Sequence, residues 1–131
     1  MVELVTNPVG YFEIPVSDID RAVEFYQHVL MVELTREVVD GYDMALFPAV
    51  EGGAGASGAL AKGDVYVPGK VGPVLYFSVA NIDAVFERLR EIGGVVLYPK
   101  KSIGEHGFVA EIEDSEGNRV ALHQSGHERK G

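Results

Sequence analysis

The stretch Tyr11-Phe12-Glu13-Ile14-Pro15-Val16-Ser17-Asp18-Ile19-Asp20 returns as Val74-Leu75-Tyr76-Phe77-Ser78-Val79-Ala80-Asn81-Ile82-Asp83, so that Val16, Ile19 and Asp20 recur at Val79, Ile82 and Asp83, an offset of 63. A chain that repeats itself in this way implies two halves of one architecture. Two similar open sheets placed face to face enclose a concave space, and small-molecule sites are concave.

Working outward from the first copy, residues 9 to 16 alternate and are β-prone, and Ile19, Ala22, Val23, Tyr26, Val29 and Leu30 follow at helical spacing. This predicts a strand and then an amphipathic helix. Ser17 followed by Asp20 resembles a capping box at the helix start. In the second copy a strand over 73 to 79 precedes Ile82, Val85, Phe86, Leu89 and Ile92 on a helix closed by Gly93-Gly94. Strands are further expected over 32 to 39, 42 to 49 and about 58 to 62, with Asp40-Gly41 as a hairpin turn. Their counterparts fall at about 95 to 98, 107 to 113 and 118 to 124, with Asp114-Ser115-Glu116-Gly117 as a turn. The fold class is α+β: one domain of 131 residues made of β-α-β-β-β modules at 9–62 and 73–124, a linker at 63–72 containing Pro68-Gly69, and a polar tail at 125–131 expected to fray.

Neighbouring side chains of a strand point to opposite faces. Phe12, Ile14 and Val16 therefore form an apolar face for the first helix, and Leu75, Phe77 and Val79 one for the second. The other face carries Tyr11, Glu13 and Pro15, then Val74, Tyr76 and Ser78. In the last strand Val120 and Leu122 go to the helix side, leaving Ala121 and His123 with the mixed polar set, the expected cleft face. Met44, Leu46 and Phe47 are expected to line or underlie that cleft.

A formal charge of −9, from 20 acidic against 11 basic residues, repels phosphate backbones and anionic lipid, arguing against nucleic acid or membrane and for a cationic or neutral ligand. Cysteine is absent, which excludes disulfides and thiolate metal sites and suits a cytoplasmic location. Met1 to Pro8 lacks the basic and long apolar regions of a signal peptide, and no apolar run reaches membrane-spanning length.

The strand, the Asp18-Ile19-Asp20 helix start, Phe25-Tyr26 within the helix and the Glu113-Asp114-Ser115-Glu116-Gly117-Asn118-Arg119 turn before the last strand resemble the vicinal oxygen chelate superfamily. That group includes glyoxalase I, extradiol dioxygenases, fosfomycin and bleomycin resistance proteins and methylmalonyl-CoA epimerase. The resemblance covers about residues 9 to 124 and implies a mixed sheet cupped around a cleft, and a homodimer whose modules pair within or between chains. It leaves the activity open, because members share a scaffold and differ in chemistry. Met31 stands where a glycine usually ends the first helix. The metal positions of the family fall here on Tyr11, Val74, Ala121 and a residue near Ala59, none of them a usual ligand for a divalent cation. No cofactor is expected on this alignment.

Two residues along the same strand faces stand Glu13, Tyr76 and His123. A Glu with a His is a plausible acid-base couple, which makes Glu13 and His123 the catalytic candidates and Tyr11, Tyr76 and His106 the ligand-binding ones. The bland alternative is that Glu13 satisfies a hydrogen bond to His123 or Tyr76 and does nothing else. A shifted divalent metal site on Glu13 and His123 lacks a clear third ligand. Gly53-Ala54-Gly55-Ala56-Ser57-Gly58 fits G-x-G-x-x-G, but Gly63 and Pro68 cut short any helix after it, so it reads as a loop or a flap at the cleft mouth rather than a dinucleotide site. Lys100-Lys101 reads as a solvated basic pair in a loop, and His28 as facing water.

Three functions are compatible with these residues. The first is a small-molecule-binding protein of glyoxalase or bleomycin-resistance type without the usual metal site. The second is a lyase, isomerase or epimerase moving a proton between Glu13 and His123, and the third is a non-catalytic scaffold or partner-binding dimer with a filled cleft.

Overall fold

The computed structural model describes residues 7–126. Residues 1–6 and 127–131, which hold most of the start read above as no signal peptide and most of the tail with His127, lie outside the described residues.

The first sheet comprises β1 (Tyr11–Val16), β2 (Thr35–Val39), β3 (Tyr42–Leu46) and β4 (Ser57–Lys62), with α1 (Ile19–Leu30) after β1. The second repeats it with β5 (Tyr76–Ser78), α2 (Ile82–Glu91), β6 (Val95–Ser102), β7 (Phe108–Glu113) and β8 (Arg119–Gln124). The strand orders, β1-β4-β3-β2 and β5-β8-β7-β6, are the same. In each, one parallel pair, β1 with β4 or β5 with β8, extends an antiparallel meander. The fold is α+β, as the repeat predicts.

Local chemistry explains the boundaries. The N-cap of α1 is Asp18, whose carboxylate accepts the Arg21 N–H at 3.0 Å, so the expected box from Ser17 to Asp20 is corrected. Ser17 and Asp18 instead donate their backbone N–H groups to Glu116, from the other half of the chain. Asn81 caps α2 in the same way through the Ala84 N–H. At the end of α1, Met31 takes the left-handed conformation, φ 55 and ψ 47, which glycine would adopt without a Cβ clash.

Lys100-Lys101 is also corrected: the pair lies on β6, which runs on to Ser102, and not in a loop. Lys100 bonds Asp83 at 3.0 Å and sits 4.7 Å above the Phe108 ring. The β6–β7 ladder is irregular between Val96 and Lys101, where Pro99 lacks a backbone donor.

Helix-facing residues of both sheets share one core, with Ile14, Val16, Leu60, Ile112 and Leu122 packed with Tyr26, Val29, Ile82, Val85 and Leu89 of the helices. Burial of such a side chain contributes about 1.5–3 kcal/mol. Phe12 and Phe77 meet edge to face across the junction at 5.9 Å, and Tyr26 meets Phe47 at 5.5 Å. The Asp114–Asn118 turn locks the halves together, for Tyr26 Oη donates to Asp114 at 2.6 Å and Asn118 Nδ2 donates to the Pro15 carbonyl at 2.8 Å. Among the described residues no helix is long and apolar enough to cross a membrane.

Candidate functional site

The strand register settles which side chains share a face. Glu13 lies opposite Ala59, Tyr11 opposite Ser57 and Pro15 opposite Ala61, all on the face of the first sheet away from the common core. Met44 and Leu46 join them there, while Ala45 and Phe47 turn to the core. Small alanines on β4 leave room above them. A second apolar cluster fills it, with Met44, Ala59 and Ala61 under Tyr42, Leu46 and Tyr66.

Tyr66 reaches this face because the chain turns sharply after β4. The Tyr66 N–H bonds the Gly63 carbonyl at 2.9 Å, and a Cβ on Gly63 would stand 2.5 Å from the Tyr42 ring. Tyr42 and Tyr66 then pack edge to face at 5.3 Å.

Both oxygens of Glu13 are held by phenols. Tyr66 Oη donates to Oε1 at 2.7 Å and Tyr11 Oη to Oε2 at 3.1 Å. The hydrogen bond to Glu13 pushes the Tyr66 phenol up to about 12. Tyr11 is raised as well, first by burial and then by the bond and charge of Glu13. Among the described residues no Lys, Arg or His stands within ion-pair distance of this carboxylate. It is a fixed anion ringed by aromatic surface.

On the second sheet, Tyr76 lies opposite Ala121 and Ser78 opposite His123. The His123 ring does not meet Glu13. Its Nε2 lies 2.7 Å from the His106 carbonyl, which can only accept, so Nε2 carries the proton. His106 thus contributes its backbone to the arrangement, from a 3-10 turn over Gly104–His106. His28 is exposed and bonds Glu91 at 2.8 Å.

The five residues named from sequence therefore fall into separate groups: Tyr11 with Glu13, His106 with His123, and Tyr76, half exposed, by itself on the wall of a cavity of about 800 Å³ between the halves. Sequence reasoning missed Tyr66 and Tyr42. A lone aromatic inside the glycine- and proline-rich linker was the available signal for Tyr66.

A divalent metal, which the resemblance raises, does not fit the residues present. Among the described residues no group of three or more His, Cys, Asp or Glu could hold an ion.

Solved structures with this architecture include TnmS3, an antibiotic-binding protein from Streptomyces sp. CB03234, at 25% identity, TM-score 0.69 and coverage of 94% of this chain and 99% of that one. The fosfomycin resistance protein FosX from Listeria monocytogenes aligns at 16% identity and TM-score 0.66, covering 97% of each chain. Leishmania major glyoxalase I aligns at 19% identity and TM-score 0.70, covering 91% of this chain and 87% of its own. Among curated proteins none matches this chain. The family model for the Glyoxalase/Bleomycin resistance protein/Dioxygenase superfamily matches residues 9–122. That span runs from before β1 into β8 and includes both helices and the Asp114–Asn118 turn, and the chain belongs to this superfamily.

Proposed function

We propose that the protein binds a small organic molecule carrying a positive charge, without catalysis and without a divalent metal, on the tyrosine-lined face around Glu13. One observation carries the reading: the Glu13 carboxylate is fixed by two phenols and has no cationic partner among the described residues. A cation over such a site gains both direct attraction to the carboxylate and attraction to the negative faces of the rings. The net charge of −9 favours its approach, and TnmS3, a structural neighbour, is an antibiotic-binding protein. Proton transfer between Glu13 and His123 draws no comparable support, since each is bonded to other partners.

The test is calorimetric titration with benzyltrimethylammonium. Glu13→Gln keeps the shape of the site and removes its charge, and it is expected to weaken binding about tenfold. Equal binding by wild type and variant would remove the proposal. The same reading keeps the protein a cytoplasmic homodimer; a monomer mass by light scattering would remove the dimer.

A further inference from the structure

We propose a second, independent ligand site, for an amphipathic carboxylate, in the cavity of about 800 Å³ between the two halves. Its walls are mainly apolar, from Phe12 and Phe47 of the first half to Phe77, Val79 and Val85 of the second, with Ser57, Ser78 and Asn81 among them. Arg88 of α2 stands at its edge. Pockets of this size and character suit small molecules with an apolar body and a few polar anchors.

The guanidinium supplies the anchor. Arg88 Nε donates to the Val29 carbonyl in the last turn of α1 at 3.0 Å, which holds the side chain across the helix pair. The other four arginines among the described residues, Arg21, Arg36, Arg90 and Arg119, each hold a carboxylate. Arg88 is half-buried and holds none among the described residues. A cation that has lost part of its water beside an apolar wall, with no carboxylate held among the described residues, selects an anion joined to a hydrocarbon body. Arg pairs carboxylates through parallel N–H bonds, so a carboxylate head on an aliphatic or aromatic body is the matching class. This site differs in charge and place from the one around Glu13, and neither depends on the other.

The experiment uses the full chain and the fluorescent anion 1-anilinonaphthalene-8-sulfonate, displaced by decanoate or by the neutral decan-1-ol. Wild type is expected to release the dye at a decanoate concentration about tenfold below that of decan-1-ol. Arg88→Gln should erase this preference, and Arg88→Lys should keep part of it. Ala84→Phe, which fills the cavity from α2, should abolish displacement by either compound while circular dichroism still reports the native fold. Equal potency of the two compounds on wild type overturns the proposal, as does a preference unchanged in Arg88→Gln or binding unchanged in folded Ala84→Phe. A change of light-scattering mass in Ala84→Phe, with no decanoate competition in wild type, assigns the cavity to a second copy of the chain and also overturns it.

Discussion

The Tyr26 phenol donates a buried 2.6 Å hydrogen bond to Asp114, joining the helix of the first half to the closing turn of the second across 88 residues of sequence. Asp114 also accepts from the Glu116 and Asn118 backbone and from Asn118 Nδ2, so every lone pair of this buried carboxylate is used. The junction between the halves is thus a polar lock set in an apolar core.

Tyr26→Phe removes one donor from Asp114 and little volume. It is expected to destabilise the protein by about 1–2 kcal/mol, lowering Tm by roughly 3–8 °C in calorimetry. Burial first, and then the charge and hydrogen bond of Asp114, raise the Tyr26 phenol well above its usual value. Its folded form keeps the proton longer than the unfolded one. The stability it contributes is therefore complete below about pH 10 and declines at higher pH, and Tyr26→Phe should remove that alkaline slope.

Glu116 governs the acid limb. Burial tends to raise its carboxyl, but Arg21, the backbone N–H groups of Asp18 and Ser17 and the Ser115 hydroxyl outweigh it and hold the group at about 2, below the ordinary 4.5. A depressed folded value means stability present above pH 4.5 and lost as pH falls toward 2. Urea unfolding from about pH 2 to about pH 6, across the ordinary range of a Glu carboxyl, should show a shallower acid slope for Glu116→Gln. An unchanged slope would assign the acid loss to other carboxylates.

Tyrosinate absorbance reads the Glu13 cluster directly, since the chain has six tyrosines and no tryptophan. One phenol, Tyr66, should titrate near 12 in wild type. Glu13→Gln removes the acceptor charge and should bring that phenol back toward about 10. A titration identical in both proteins would mean that Tyr66 and Glu13 are apart in solution.

Met31→Gly relieves the left-handed residue that ends α1. Met31 is 72% exposed, so little packing is lost, and the change should stabilise the protein by about 0.5–1 kcal/mol in denaturant titration. Loss of stability would show that the Met side chain contributes more than its backbone costs.

Gly58→Ala tests the parallel β1–β4 contact beneath the site. A Cβ at this position would stand 2.0 Å from the Phe12 carbonyl oxygen, which is backbone and can move only with its strand. A loss of roughly 1–3 kcal/mol is expected, with weakened cation binding at Glu13 as the strand shifts. A stable variant with unaltered binding would contradict the close pairing of these strands.

Much of this was legible in the residues. The alternation of Phe12, Ile14 and Val16 against Tyr11, Glu13 and Pro15 assigned both faces of β1 before any register was known, because a strand has no choice of period. The recurrence of Val16-Ser17-Asp18-Ile19-Asp20 as Val79-Ala80-Asn81-Ile82-Asp83 marked both helix starts. The cap of α1 was misplaced by one residue, since Ser17 and Asp18 are both competent caps and the choice fell to Glu116, 98 residues from Asp18. Lys100-Lys101 lies past the strand expected at about 95 to 98, whereas β6 runs on to Ser102 and absorbs Pro99 as an irregularity in its ladder.

What the amino acids determined alone was the order of the elements and the face that each strand residue takes, both of which rest on local period and residue chemistry. Only the tertiary structure decided company: that Tyr66 from the linker, rather than His123 from the other sheet, closes on Glu13, and that Arg88 is left facing a cavity without a carboxylate among the described residues. Contacts between distant segments depend on how two sheets and two helices share one core, and no spacing along the chain encodes that angle.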